Sequence, residues 1–241
     1  MTDLAALEAA IADRENVAPP IVGGAPLRAS WAGACARQIG YKLRHEPETE
    51  ALSAQSAIAF AVGTAIHEQL QWALQRLHPD GAAEVEGSLE IWDNKIVRPN
   101  PLFPLEVMSP AIGCHADFAY GKVVIEIKSM QPYAFDKAVR EGAQEHHVLQ
   151  VGLNGLAQGA EVVVLIYVDK AKGRIATFEL GADPWKDKAT AEALRLASIW
   201  GLWSQGHLAD PIDPARKVWQ CRYCPFLTTC KQSAQVEGDP F

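Results

Sequence analysis

The stretch that decides the fold is Val123–Met130, with the sequence VVIEIKSM. Its β-branched residues predict a β-strand. Side chains alternate across a strand, so Glu126 and Lys128 share one face, while Ile125 and Ile127 share the other. An apolar back face predicts burial against a core. The carboxylate and the ammonium on the front face therefore need a separate explanation.

The preceding segment, Ile112–Tyr120, predicts the partner strand of a hairpin. The two possible two-residue loops place Asp117 opposite either Val124 or Glu126, and both put it on the face of Glu126 and Lys128. Clustered carboxylates repel each other and are poorly tolerated without a cation. Oxygen ligands of this kind suit Mg²⁺ or Mn²⁺. The alternative is a solvent-facing hairpin that carries an ordinary cross-strand ion pair.

A long helix is predicted from an N-cap at Ser53 to about Leu77. Gly63 and His67 lie one turn apart on it, and helical side chains lean towards the N-terminus, so His67 leans over a position without a side chain. A metal or a substrate could lie there; a hydrogen-bonded histidine at the edge of a core helix is the alternative. The apolar stripe of this helix is Ile58, Val62, Ile66, Leu70 and Leu74.

A second helix, predicted over Gln144–Gln158, contains no charged residue from His146 onwards. An ordinary surface helix would carry charge, so this helix is predicted to be largely buried. His147, Gln150 and Asn154 nevertheless form a polar stripe at helical spacing. Buried polar groups need partners, which a metal site, a DNA phosphate or a structural hydrogen-bond network would supply.

The other predicted elements complete an α/β (α+β) fold, a small mixed sheet flanked by helices. Predicted helices cover 3–14, Trp31–Leu43 with Ser30 as N-cap, Tyr133–Gly142 and Pro184–Gln205. Predicted strands cover Glu84–Trp92, Val162–Val168 and Arg174–Leu180. The strand Val162–Val168 is apolar on both faces and is therefore predicted to be central. Residues 99–110 form a proline-rich connector. The predicted divisions are an N-terminal helix and loop (1–29), one domain (30–232) and a tail (233–241).

Composition sets limits on function. The chain has 241 residues and a formal net charge of −7, which argues against a protein coated in basic surface. No run of 18 uncharged apolar residues is present, so no transmembrane span or membrane partner is expected. The acidic N-terminus does not resemble a secretory signal, and a cytoplasmic protein is predicted.

The C-terminal sequence contains Cys221, Cys224 and Cys230 with the spacing C-x2-C-x5-C. In a cytosolic chain this spacing predicts metal binding more than disulfides. A fourth thiolate could come from Cys35, since Cys114 has the opposite strand parity to the carboxylates and is expected to point into packing. Four thiolates fit Zn²⁺ or an iron–sulfur cluster, and either would join the two ends of the domain.

Taken in order, these segments resemble the PD-(D/E)XK nuclease superfamily, and within it the RecB-like iron–sulfur branch. That branch includes the CRISPR-associated adaptation exonuclease, the AddB-type nuclease domain and phage-encoded relatives. The resemblance runs from about Ser30 to Lys231. It is carried by CARQIGY (35–41), GTAIHEQL (63–70), GCHADFAYGKVVIEIKSM (113–130), Gln150 within a helix and WQCRYCPFLTTC (219–230).

The resemblance implies a role for each matching residue. A divalent cation, Mg²⁺ or Mn²⁺, would be held by His67, Asp117, Glu126 and the backbone carbonyl of Ile127. The attacking water would be positioned or activated by Lys128, and Gln150 matches the family's helical glutamine. A [4Fe–4S] cluster, with Zn²⁺ as the less favoured occupant, would be held by Cys35, Cys221, Cys224 and Cys230.

At two positions the match to the family pattern is incomplete. The family often has a tyrosine four residues after the glutamine, where this chain has Asn154. An additional acid from the first strand could be Glu84, Glu86 or Glu106.

The function implied is a metal-dependent DNA exonuclease that hydrolyses phosphodiesters at ends or in single strands. Its setting would be phage recombination, DNA repair or CRISPR adaptation, with a protein partner from that system, in a bacterial cytoplasm or that of a bacterial host. The alternative is a non-catalytic iron–sulfur or zinc subunit that binds DNA or a partner. Basic residues near the cysteines could follow a nucleic-acid backbone or form an ordinary solvated surface: Arg37, Lys42, Arg44, Arg216, Lys217, Arg222 and Lys231.

Overall fold

The computed structural model describes residues 25–49, 53–92, 95–97, 110–211 and 220–230. Its strands are β1 (Leu27–Arg28), β2 (Ala82–Trp92), β3 (Lys95–Val97), β4 (Ala111–Tyr120), β5 (Val123–Met130), β6 (Val162–Asp169) and β7 (Ile175–Leu180). Its α-helices are α1 (Ala36–Leu43), α2 (Ala54–Leu77), α3 (Pro132–Glu141), α4 (Glu145–Gln158) and α5 (Ala182–Ser204). The predicted helix at 3–14, the connector before Pro110 and the tail 233–241 lie outside the described residues.

All seven strands form one mixed sheet in the order β3-β2-β4-β5-β6-β7, with β1 paired to β4. The β1–β4 and β5–β6 pairs are parallel, and the others are antiparallel. The predicted fold class, a mixed sheet flanked by helices, is confirmed. The hairpin turn gives the register Phe118↔Ile125, so that continuing it by one residue sets Asp117 opposite Glu126.

Strand β6 lies inside the sheet, as its apolar sequence predicts. It pairs with β5 on one edge and with β7 on the other. Helix α2 covers one face, where Ile66, Leu70 and Leu74 pack against a cluster that includes Ile125 and Ile127. Helices α3, α4 and α5 cover the opposite face. The apolar back of VVIEIKSM is therefore buried beneath α2, and its polar front faces α4.

Helix α4 approaches the sheet closely because it carries glycines on its inner faces. A Cβ added to Gly155 would lie 2.6 Å from a methyl of Val163, and one added to Gly152 would lie 2.8 Å from the Cβ of Ala189 on α5. Gly155 thus lets α4 sit directly on β6, while Gly152 lets α5 pack behind it. This close approach brings the short polar side chains of α4 within reach of β4 and β5.

Helix α2 begins as predicted, since the Ser53 hydroxyl accepts a hydrogen bond from the Ser56 N–H. The predicted apolar stripe is wrong in its first half: Ile58 and Val62 are exposed. Only the second half of the stripe, described above, packs against the sheet. In this part of α2 the residues that line a surface cleft are Ala59, Phe60, Gly63 and Thr64, not the stripe residues.

The predicted helix from Trp31 is also wrong at its start. Residues Ala29–Trp31 form a 3₁₀ turn, and α1 begins only at Ala36, with Cys35 rather than Ser30 as its N-cap. Gly33 separates the two segments with a φ of +70°, a left-handed conformation that glycine adopts without strain. Its N–H donates to Glu192 on α5, which fixes this turn against the body of the domain.

The C-terminal segment 220–230 packs against the segment around α1. Phe226 is buried and contacts Tyr41, with ring centroids 5.5 Å apart. The Thr49 N–H donates to the carbonyl of Pro225, and the Gln220 amide donates to the carbonyl of Gly33. The two ends of the described chain therefore meet, as a site shared by Cys35 and the C-terminal cysteines would require. Within the described ranges, no helix is both long and apolar enough to cross a membrane.

The docking of this segment can be tested with Phe226→Ala. We expect it to lower the free energy of unfolding by about 3 kcal/mol, because it removes a buried aromatic side chain. The matched control is Tyr223→Ala, an aromatic of the same segment that is 78% exposed and should change stability little. Urea unfolding of both variants measures the difference; equal losses would contradict the packing described.

Candidate active site

The candidate site lies at a gap on one edge of β4. The opposite edge of β4 pairs with β2 along most of its length. On the gapped edge, β1 pairs with Ile112 and Gly113, while β5 pairs only with Phe118–Tyr120. Among the described residues, the stretch 114–117 has no partner strand on this edge. Polar side chains enter the gap from β5, α2 and α4.

Asp117 lies where the alternation of β4 changes phase. Ala116 packs on the face covered by α4, whereas Phe118 packs on the face covered by α2. The Asp117 carboxylate turns into the gap between β4 and β5, where one oxygen accepts a hydrogen bond from the Ile127 N–H at 2.5 Å. Its other oxygen lies 3.3 Å from Nδ1 of His67 on α2.

Glu126 is a carboxylate in the interior, only 2% exposed. Burial, and then the nearby charge of Asp117, raise its pKa to about 7 despite the opposing effect of Lys128. Its Oε1 accepts from Lys128 Nζ and from the Gln150 amide, both at 2.6 Å. Its Oε2 accepts from the Asn154 amide at 2.8 Å. Each oxygen is thus held in a fixed direction.

Lys128 remains positively charged in this setting. Burial opposes its charge, but the Glu126 carboxylate outweighs that effect and raises the pKa of the ammonium. Lys128 thus supplies positive charge to the buried Glu126 carboxylate. It also points the ammonium at the cavity in front of the carboxylates.

Two clefts meet at these residues. The smaller, of about 240 Å³, is lined by the five predicted side chains His67, Asp117, Glu126, Lys128 and Gln150, with Arg28, Ala29, Ser30, Gly113 and His115. The larger, of about 770 Å³, runs along α2 and shares His67, Asp117 and Lys128. Gly63 lines it as well, and a Cβ added there would lie 3.0 Å from Ser129 Oγ, so a side chain at this position would crowd the cleft wall.

The structure therefore brings together every side chain predicted for the cation site and its lysine and glutamine. Ile127 lies between Glu126 and Lys128 with a buried side chain. Its carbonyl as a ligand stays a prediction, as do the chemical roles of the other residues.

Which of the three alternative acids joins the site stays a prediction, but Glu84 lines the larger cleft beside Asp117. Its carboxylate accepts from the Gln71 amide, which also donates to the carbonyl of Asp117, and it lies 2.9 Å from Nε2 of His115. Glu84 has a φ of +54°, a left-handed conformation rare outside glycine, beside the phase change at Asp117. Glu106 lies outside the described residues. No periodicity in the sequence signals this backbone conformation.

The polar stripe of α4 finds partners, as predicted. Gln150 and Asn154 hold Glu126, and His147 hydrogen-bonds through Nδ1 to the Tyr167 hydroxyl at 2.9 Å. Burial, and then the neighbouring His146 and Lys128, lower the pKa of His147, so it is neutral. The sequence predicted that partners were needed but could not identify them.

The cysteines form a second group, away from the carboxylates. Burial raises the pKa of Cys221, Cys224 and Cys230, and in each case the nearby Cys35 raises it further. Cys35 is the N-cap of α1, and the other three thiols lie in the segment 220–230, which packs against the region around α1. Cys114 is instead fully buried in the core, as predicted. The prediction that it points away from the carboxylates is wrong, because Cys114 packs towards α4, which Glu126 also faces. Burial, and then the charge of Glu126, raise the pKa of its thiol to about 12.

Two of the basic residues near the cysteines contact the segment after α5. Arg37 is buried and donates to the carbonyl of Ala209, so it forms neither a solvated surface nor a path for a nucleic-acid backbone. Arg44 is exposed and donates to the carbonyl of Gly206, which leaves both predictions open for it. These contacts attach α1 to the segment that follows α5. Arg216, Lys217 and Lys231 lie outside the described residues.

The donors can be compared with what a cation requires. In the described part of the chain, no three His, Cys, Asp or Glu side chains already surround one point as a ligand shell. This holds for the carboxylates and for the cysteines. At the carboxylate group, however, an imidazole and two carboxylates line one cavity, and the raised pKa of buried Glu126 shows that a further positive charge would be favourable there. The donor chemistry fits Mg²⁺ or Mn²⁺.

Comparisons with known proteins support the fold. The crystal structure of SSO0001 is similar over 91% of this chain and 91% of its own, with a TM-score of 0.58 and 20% sequence identity. A weaker likeness, at 14% identity, is to the alkaline exonuclease LHK-Exo from Laribacter hongkongensis; it covers 71% of this chain and 82% of that chain, with a TM-score of 0.41. LHK-Exo in complex with dAMP is also similar at 14% identity, over 75% of this chain and 92% of that chain, with a TM-score of 0.38. No family model and no curated protein matches. The likeness to SSO0001 shows a shared overall fold.

The buried ion pair predicts the effect of Lys128→Met. We expect a loss of about 2–3 kcal/mol in the free energy of unfolding, because Glu126 keeps its burial and loses its counter-charge. The matched control is Lys170→Met, a lysine of the larger cleft whose ammonium donates to the carbonyl of Ala59 and not to a carboxylate. Urea unfolding in EDTA compares them; a loss no greater than that of the control would count against the pair.

Proposed function

We propose that this protein is a divalent-metal-dependent nuclease that hydrolyses phosphodiester bonds in DNA. The observation that supports the proposal is the convergence of His67, Asp117, Glu126, Lys128 and Gln150 on one cavity at the gap in the sheet. Beside the Glu126–Lys128 ion pair, a second carboxylate and an imidazole line the same opening. Such a set matches the needs of phosphodiester hydrolysis: anionic ligands for a cation, and a cation of the protein beside them.

His67, Asp117 and Glu126, with the Ile127 carbonyl, are the residues that would hold the cation. A bound Mg²⁺ or Mn²⁺ would supply Lewis-acid polarisation of a phosphate oxygen and a lower pKa for water. The protein's own contribution is geometric. Donors from α4 and β5 fix the Glu126 oxygens, and the Ile127 N–H fixes the Asp117 carboxylate.

Lys128 is assigned to orient water and to stabilise negative charge on the phosphoryl group during attack. It lines both clefts, so a strand that lies across them would pass its ammonium. Its charge is retained because Glu126 raises its pKa. Gln150 directs Glu126 and also faces the smaller cleft, where it could contact the substrate.

The finer proposal is an exonuclease of the RecB-like iron–sulfur type that acts on ends or single strands. It rests on the resemblance of the motifs and on the packing of the segment 220–230 against the region around α1, where Cys35 is the N-cap. A [4Fe–4S] cluster or Zn²⁺ would be held there by Cys35, Cys221, Cys224 and Cys230. Phage recombination, DNA repair and CRISPR adaptation remain the proposed settings, with a corresponding protein partner and a cytoplasmic location.

The proposal predicts degradation of linear DNA in Mg²⁺ or Mn²⁺ and its loss in EDTA. Lys128→Ala should lower the rate by about 100-fold or more, because it removes charge stabilisation from the transition state. The measurement uses 5′- and 3′-labelled linear strands, single and double, beside a circular substrate. The label that is released first gives the polarity, and an intact circle distinguishes exonuclease from endonuclease.

The matched control is Lys137→Ala on α3, an exposed lysine that pairs with Glu141 away from both clefts. It should cleave like the wild type. Folded wild-type protein that leaves every substrate intact with either metal would overturn the nuclease and favour the non-catalytic DNA-binding or interaction subunit.

The cysteine site predicts metal in the purified protein. Cys221→Ala should lose iron or zinc and melt more than about 5 °C lower, because metal binding contributes to folding free energy. Cys114→Ala is the control, since that thiol is buried in the core and should leave metal content unchanged. Anaerobic purification with iron, sulfide and zinc analysis decides the occupant; wild-type protein free of all three would refute this site.

A further inference from the structure

We propose that Asn154 is a positioning residue: it bridges the gap in the sheet and sets the direction of the Glu126 carboxylate. The inference deepens the proposed function, on which it rests. Asn154 occupies the place where the family resemblance expects a tyrosine, so its role does not follow from the resemblance. It follows from three hydrogen bonds.

The amide of Asn154 is fully buried, and its groups are all engaged. Its Nδ2 donates to the carbonyl of His115 at 2.9 Å and to Oε2 of Glu126 at 2.8 Å. Its Oδ1 accepts from the N–H of His115 at 3.1 Å. One side chain on α4 therefore joins the backbone of β4 to the carboxylate of β5.

The two hydrogen bonds to His115 take the place of backbone pairing with a neighbouring strand. In an antiparallel ladder, a residue on the partner strand would exchange both an N–H and a C=O with His115. Strand β5 has already diverged from β4 at this point, and β1 ends its pairing at Gly113. Asn154 supplies one donor and one acceptor in its place, which leaves no buried backbone group of His115 without a partner.

Through the third bond, two successive turns of α4 both donate to the Glu126 carboxylate and orient it. Gln150 and Lys128 hold Oε1, and Asn154 holds Oε2. A carboxylate held at both oxygens cannot rotate about its terminal bond. Because the same amide is anchored to β4, the plane of Glu126 is fixed relative to the strand that carries Asp117.

The packing of α4 explains why a short side chain serves here. Gly155 lets the helix lie against β6, with only 2.6 Å between an added Cβ and Val163. At this separation an asparagine spans the space between the helix and the two strands. A tyrosine at the same fully buried position would not fit without displacing α4.

The test compares Asn154→Ala with Gln158→Ala. Gln158 lies one turn further along α4, and its amide also donates to strand backbone, at the carbonyl of Glu86, but it does not touch Glu126. We expect Asn154→Ala to weaken Mn²⁺ binding by about 10-fold or more and to lower kcat by a similar factor. KM for DNA should stay unchanged, because Asn154 does not line either cleft. Gln158→Ala should match the wild type in all three.

Mn²⁺ affinity is measured by electron paramagnetic resonance titration of the full chain, without DNA, after circular dichroism has shown that each variant is folded. If Asn154→Ala does not fold, Asn154→Ser takes its place, since one hydroxyl cannot replace both groups of the amide. Folded variants that bind Mn²⁺ and cleave like Gln158→Ala would overturn the positioning role while leaving the nuclease intact. Wild-type protein that neither binds Mn²⁺ nor cleaves would overturn both.

Discussion

The burial of Glu126 is the constraint on which this site depends. A carboxylate that loses its water must receive hydrogen bonds and positive charge from the protein, or it becomes protonated. Here Lys128 supplies the charge, and α4 supplies two amides. The pKa is still raised to about 7, so these partners do not fully compensate. A buried acid that remains short of positive charge is suited to hold a cation.

The gap in the sheet is what makes that burial useful. Strands β1 and β5 divide one edge of β4 between them and leave its middle open. Within a continuous ladder, the backbone of Ile127 would be occupied by β4 and the Asp117 carboxylate would have no place between the strands. The opening instead lets Asp117 accept from Ile127 and approach His67. At the same opening, Asn154 of α4 hydrogen-bonds to the backbone of β4 and to Glu126. One side chain therefore satisfies the unpaired backbone and orients the carboxylate.

The cysteine group belongs to a separate part of the architecture. The Phe226–Tyr41 contact and the hydrogen bonds of Thr49 and Gln220 join segments far apart in sequence. A contact of such long range closes most of the chain into one loop, which costs conformational entropy. A thiolate-bound metal at this junction would offset that cost. The carboxylates lie elsewhere, so the two groups can be tested independently by the variants of each.

The amino-acid sequence by itself predicted most of the periodic elements. Alternation in VVIEIKSM separated Glu126 and Lys128 from the apolar face, and helical spacing placed His67 over Gly63 and Gln150 on a polar stripe, because side-chain direction follows from local backbone geometry. The grouping of these residues into one site was implied by the resemblance of the motifs and not by spacing. Tertiary structure alone decided the early end of the β4–β5 ladder, the position of Glu84 beside Gln71, the start of α1 at Ala36 and the use of Asn154 between strands. Each of these depends on how two or more elements pack. Such packing is set by long-range contacts and by single backbone conformations, at Gly33 and Glu84, that leave no periodic trace in the sequence.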